Sequence, residues 1–170
     1  MVSKSGKLRF YSIPPFNQDK EVDLNTNVYG MQYVNGNIYF FTYNNMNSSI
    51  LMIATSSQML NIELSVSPIE GVIELFGVIV VYGGDSYSLV QLQNINNILE
   101  PKLITTEKFS NTNNNNSIIT NILTKSMVYY PDNKLFIAGH SNGELSAWNP
   151  GNNNLVKLEN IKIADTVRKL

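Results

Sequence analysis

The stretch Leu135-Phe-Ile-Ala-Gly-His-Ser-Asn-Gly-Glu-Leu-Ser-Ala-Trp-Asn149 reads as a strand, a turn and a second strand. Lys134–Ala138 is a short apolar run, Glu144–Trp148 is another, and Asn142-Gly143 between them supplies residues that tolerate the positive φ of a tight hairpin. The second half of the stretch has a counterpart near the start of the chain. Gly143-Glu-Leu-Ser-Ala-Trp148 matches Gly6-Lys-Leu-Arg-Phe-Tyr11: glycine, charge, leucine, two residues, aromatic ring. The two glycines stand roughly 137 residues apart, or about three units of 40–45 residues.

Between these copies the chain is punctuated as strands. Helical periodicity is nearly absent, and short runs of Val, Ile, Leu, Phe and Tyr are cut by Asn, Gly, Asp and Pro. Lys7–Ile13 is predicted as a strand that stops at Pro14-Pro15. Val28–Val34, Asn37–Tyr43, Ile50–Thr55 and Met59–Val66 form a first group of four, with an Asn35-Gly36 turn inside it. Gly71–Phe76, Val78–Tyr82, Ser86–Gln93 and a weaker Lys102–Thr106 form a second, with a turn at Gly83-Gly84-Asp85. Asn121–Tyr130, Lys134–Ala138, Glu144–Trp148 and Leu155–Asn160 form a third. The Asn-rich segment Ser110–Ser117 is expected as an exposed loop, and Ile163–Leu170 as a short helix or a frayed end.

Groups of four short strands at this spacing have the period of a β-propeller blade. The predicted fold is therefore all-β, with antiparallel four-stranded blades in a partial propeller. The chain is expected to be one domain: part of a blade over 1–24, blades at about 25–67, 68–108 and 118–161, and a tail over 162–170.

The 135–149 segment resembles the second and third strands of a WD40 repeat, with Asn142-Gly143 in place of Asp-Gly and Trp148-Asn149 in place of Trp-Asp. Gly6–Tyr11 is a weaker copy, and the stretch from Gly83 to Leu92 is weaker again. No Gly-His dipeptide stands where such a repeat opens, so the resemblance implies an incomplete Asp–His–Ser–Trp network. Kelch-type blades share the glycine pairs and the late Trp, and the blade type stays open on these residues. The resemblance implies a rigid, non-enzymatic scaffold, with Gly6, Tyr11, Gly143 and Trp148 as structural blade residues.

Composition narrows the function. The chain has 170 residues, is 43% hydrophobic and only 15% charged, and carries seven Phe and nine Tyr, enough apolar surface for a real core. With a net charge of −1 and no Lys/Arg cluster it lacks what phosphate binding needs, so no nucleic acid is expected as partner. The longest apolar run, Val72–Tyr82, is too short to span a bilayer, and no basic amphipathic stretch marks a membrane surface. There is no cysteine, which excludes disulfides and thiolate metal sites and suits a reducing, intracellular setting in cytoplasm or nucleus. The start of the chain lacks the apolar core of a signal peptide. Asn makes up roughly one residue in seven, a bias that falls where turns are needed. In that setting the sequons at Asn47 and Asn115 are read as chance.

No catalytic constellation is legible. His140 is the only histidine, and Asp85, Asp132 and Glu144 are its only candidate co-ligands, so it is read as structural or solvent-facing. No nucleophile elbow accompanies it. Asp19, Glu21 and Asp23 read as a solvated polar loop, and Gly83-Gly84-Asp85 lacks the Lys and Ser/Thr of a phosphate loop. No cofactor or metal is expected. The candidate partner-binding loop tips are Asp85, Tyr87, His140, Asn142 and Glu144. Three blades leave sheet edges and end faces uncovered. The expected partner is therefore a protein that supplies missing blades or a strand, or a second copy in a homodimer. The rival expectation is a propeller-family hydrolase or lyase that works only when oligomerised. The tail Ile161–Leu170, with Lys162, Arg168 and Lys169, is a candidate docking segment.

Overall fold

The computed structural model describes residues 6–11, 18–45, 48–109, 123–151 and 154–162. The predicted Asn-rich loop and the tail from 163 lie outside them. The described residues form fourteen strands and no helix. A two-stranded sheet pairs β1 (Lys7–Tyr11) with β2 (Gln18–Asp23). Three four-stranded antiparallel meanders follow. The first runs β3 (Val28–Val34), β4 (Asn37–Asn45), β5 (Ser48–Ala54) and β6 (Met59–Leu64). The second runs β7 (Gly71–Leu75), β8 (Val78–Gly83), β9 (Ser86–Ile95) and β10 (Ile98–Lys108). The third runs β11 (Thr124–Tyr130), β12 (Leu135–His140), β13 (Glu144–Pro150) and β14 (Leu155–Lys162).

Each meander is a blade because its strands are apolar on both faces. In β4, Tyr39 and Phe41 point one way and Phe40 the other, and all three are buried. The period-2 alternation thus feeds two cores at once. Tyr39, Phe41, Leu51 and Ile53 meet Val72, Ile79, Val81 and Val90 of the next sheet. The opposite face of that sheet sends Val80, Tyr82, Tyr87 and Leu89 against Met127, Phe136, Ala138 and Trp148. At the other end, Phe40 and Met52 pack on Leu8 and Leu24. Sheet-on-sheet packing therefore recurs three times along the chain.

The strands β3, β7 and β11 approach one another on one side of the stack, and β6 approaches β10 on the other. Every link from one blade to the next runs from an outer strand to an inner one. By that rule β2, which leads into β3, is the outermost strand of its blade, and β1 is the third. A hydrogen bond repeats to confirm it. Leu24 N donates to Gly6 O just as Phe109 N donates to Asp85 O, each bond joining the end of an outermost strand to the start of a third strand. Gly6 and Gly143 both precede third strands with φ of +75° and +82°. A side chain at Gly6 would collide with the Thr26 carbonyl. The repeated glycine is thus a backbone requirement.

Two expectations change. Gln18–Asp23, read as a polar loop, is the strand β2. It pairs along β1, and Glu21 accepts hydrogen bonds from Lys7 Nζ at 3.0 Å and Arg9 Nε at 2.7 Å. The weak strand at Lys102–Thr106 extends over Ile98–Lys108, with Pro101 inside it. Proline is tolerated there because β10 is an edge strand, free of a ladder on one side.

Candidate interaction surfaces

The turns β8–β9 and β12–β13 lie at one end of the blades, because each joins a second strand to a third. Asp85 occupies the first of these turns and forms an ion pair with Lys108 at 2.7 Å. Asn142 occupies the second, where its side-chain oxygen accepts from the Glu144 amide at 3.2 Å. Asp85, Asn142 and Glu144 are all partly exposed. Asp85 also lines a shallow polar recess with Ser65, Ser67 and Glu107.

The remaining two predicted tips are interior. Tyr87 is fully buried on β9. Its hydroxyl donates to Glu107 Oε2 at 2.8 Å and accepts from the Leu155 amide at 2.9 Å, tying the second full blade to the third. Burial, with the Glu107 carboxylate beside it, holds this phenol above its ordinary pKa. His140 is 3% exposed and ends β12 instead of sitting in the turn. Its Nδ1 lies 3.2 Å from Thr124 Oγ1 and its Nε2 lies 2.6 Å from Ser146 Oγ, which accepts from Trp148 Nε1 at 2.7 Å. The simplest proton assignment runs one way, from the Trp148 N–H through the Ser146 hydroxyl to a neutral imidazole, whose Nδ1–H donates to Thr124. Burial lowers the His140 pKa to about 4, which keeps the ring neutral. A His–Ser–Trp chain of hydrogen bonds is thus present, ending on the Thr124 hydroxyl, with no carboxylate in it. Phe109, which the sequence did not single out, stacks edge-on to both His140 and Trp148, at 5.7 and 5.5 Å between ring centres. Trp148 is a packing residue here. Tyr129 turns inward onto Phe136 and Tyr130 outward, as strand alternation requires. The structural residue Tyr11 ends β1 opposite Gln18.

At the other end of the blades, Phe76 stands in the β7–β8 turn, 88% exposed and at φ +50°. The matching β3–β4 turn uses Asn35 at φ +48°, the residue type this conformation favours. Phe76 rims a cavity of about 180 Å³ between the last two blades, lined by Val78, Ile104, Phe136 and Leu155, with no titratable side chain in its wall. Among the described residues, no group of three or more His, Asp and Glu is placed to hold a metal ion.

The outer face of the last sheet is also apolar. Register places Val128, Ile137 and Ala147 side by side on the face opposite Met127, Ala138 and Trp148, with Leu145 further along it. Val156, opposite Asn149, joins them. Val128, Val156 and Leu158 are exposed, the last two at 48% and 51%.

Stacked antiparallel four-stranded blades with inner-strand and outer-strand sides define the fold of a partial β-propeller. A search of solved structures agrees. The chain superimposes on the β-propeller domain of Cps50 (Swd1) from Myceliophteria thermophila with a TM-score of 0.56 and 8% identity, over 95% of this chain and 55% of that one. It also aligns with a chain of the mitotic checkpoint complex at a TM-score of 0.49 and 10% identity, over 98% of this chain and 63% of that one. The chain therefore spans 55% and 63% of the lengths of these two chains. No sequence-family profile matches it, and no curated protein is similar to it in sequence. Among the described residues no helix is long and apolar enough to cross a membrane.

Proposed function

We propose that the chain is a non-enzymatic scaffold for protein–protein recognition: a partial WD40-like propeller that docks onto, or is completed by, another chain in a larger intracellular complex. The observation that carries this reading is the outer face of β11–β14. It repeats the alternating apolar pattern of the three packed interfaces, yet it has no sheet against it among the described residues. A contiguous apolar face of this kind on a rigid sheet is a binding surface or an aggregation hazard. Asp85, Asn142 and Glu144 at the loop end offer a second, polar contact region that rigid blades hold in place. The absence of cysteine suits a reducing compartment.

The test is the solution mass of the purified chain, by light scattering on a size-exclusion column across a dilution series. A discrete dimer, or a chain that becomes soluble only with a co-expressed partner, supports completion from outside. A well-behaved monomer at all concentrations rejects it.

A further inference from the structure

We propose that the cavity between the last two blades is a binding site for one phenyl ring, presented as a phenylalanine side chain by a partner polypeptide; only the source of the ring rests on the reading above. The cavity interrupts an interface that is otherwise packed. Val80, Leu89, Phe136 and Leu155 belong to the buried cluster between these blades and also line the gap.

The preceding interface shows what is missing. Gln32 pairs with Tyr39 and Tyr39 with Ile53 in the first full blade, as Ile73 pairs with Val80 and Val80 with Leu89 in the second. Tyr39 and Val80 therefore hold the same place, each facing the next blade. Tyr39 fills that place with a fully buried ring, and its hydroxyl donates to Glu74 Oε2 at 2.7 Å across the interface. At Val80 there is no ring, and the cavity lies beside it. A bulge on β10, between Leu103 and Thr105, puts Ile104 into the wall from the sheet edge.

The wall selects its occupant. A volume of about 180 Å³ suits one aromatic ring, since an apolar cavity of about 150 Å³ takes benzene. Among the described residues no wall side chain is charged, and no carboxylate answers a hydroxyl there as Glu74 answers Tyr39. Burying a charge or an unpaired hydroxyl is unfavourable, so a phenyl ring fits better than a phenol or an ammonium group.

The rim shows that the occupant extends beyond the cavity. The turns Asn35-Gly36, Phe76-Gly77 and Asn96-Asn97 all have positive φ at both positions. Asn tolerates that conformation, whereas a bulky ring is strained in it. Phe76 is exposed, so burial offsets none of its strain. Such strain persists where a residue serves contact. A free ring inside the cavity leaves Phe76 in water, whereas a peptide whose phenylalanine enters the cavity covers Phe76 with its neighbouring residues.

Toluene is the probe for the cavity. Near its solubility limit it should raise the melting temperature of the wild-type chain by about 2 °C or more. It should leave Val80→Phe unmoved, because that variant supplies the ring from within. Ile104→Phe, on the half-buried edge strand, is the second filler if Val80→Phe does not fold. A random peptide library panned on the immobilised chain reads the source of the ring. Selected peptides should share a phenylalanine at one position and bind the folded filler about tenfold or more weakly. Phe76→Asn should raise the melting temperature, keep the toluene shift and weaken the peptide several-fold, a combination that a purely structural residue does not give. A folded wild-type chain that toluene does not stabilise overturns the site. A toluene shift with peptides that lack the phenylalanine, or that bind the fillers equally well, overturns the polypeptide source. If neither probe binds while light scattering still shows association, this site fails and the scaffold reading stands. If both probes bind a chain that is monomeric throughout, completion by another chain falls and this site stands.

Discussion

At the N-terminal end of the stack, β1 and β2 turn Leu8 and Leu24 inward and Lys7, Arg9 and Glu21 outward. At the C-terminal end, β11–β14 turn Phe136 and Trp148 inward and Ile137, Leu145 and Val156 outward. The inner faces are alike and the outer faces are not. The first sheet ends in ion pairs that water solvates. The last ends in aliphatic side chains that water does not. A blade in mid-stack needs two apolar faces and a terminal one needs a single apolar face. Among the described residues the first sheet has two strands and a charged outer face, and the last has four strands and an apolar outer face.

That contrast can be broken by mutation. Trp148→Ala removes the centre of the aromatic cluster under the last blade and should cost about 3–5 kcal/mol, read from urea midpoints. Leu8→Ala, at the thinner end, should cost about 2 kcal/mol, near the low end for buried leucine. Equal losses would mean that the two-stranded sheet is as firmly seated as a full blade.

Acid should separate the ends next. His140 has a folded pKa of about 4 against an unfolded value near 6.5. The unfolded chain therefore takes up the proton first. The stability tied to a neutral His140 is fully present above about pH 6.5 and lost as pH falls towards 4, up to roughly 3 kcal/mol. His140→Gln should flatten the melting temperature across that window, whatever it does at neutral pH. A wild-type profile that is already flat would show that the ring accepts a proton in place.

On the outer faces the effects are smaller in stability and larger in association. Val156→Asp with Leu158→Asp should change unfolding by less than about 1 kcal/mol, because both positions are exposed, while abolishing the association expected in light scattering. At the charged end, Glu21→Gln should have the least effect. The Arg9 and Lys7 hydrogen bonds lower the pKa of this carboxylate. The pair is nonetheless exposed, so the change should appear only as faster exchange in β1–β2 at low salt, and should vanish at high salt.

Much of this architecture was legible in the residues. The Gly6–Tyr11 and Gly143–Trp148 copies mark the same third-strand position in two blades, and the glycines do so because the backbone there needs positive φ. β2 was not legible. In Gln-Asp-Lys-Glu-Val-Asp only Val22 is apolar, and the strand exists because β1 pairs with it and neutralises Glu21. His140 could have been placed better. Phe136, Ala138 and His140 alternate on one strand, so period 2 sends the imidazole inward with its neighbours. The turn signal of Asn142-Gly143 drew it towards the surface. Tyr87 was misplaced in the same way by the adjacent Gly83-Gly84-Asp85. Phe109 was hidden because it stands just before the Asn-rich segment, and its partners are distant in sequence. The exposure of Met31 and Tyr33 could not be read from periodicity, since they alternate along β3 like core residues.

The charged outer face of β1–β2 also limits what copies of this chain can do to one another. A stack of blades with one open apolar end invites head-to-tail growth, and a heterologous contact whose rotation does not close gives a filament. Here the next molecule in such a row would have to press Lys7, Arg9 and Glu21 against Ile137, Leu145 and Val156, stripping water from charged groups, which opposes the contact. On the proposed reading, the ion pairs therefore oppose head-to-tail growth of copies of this chain.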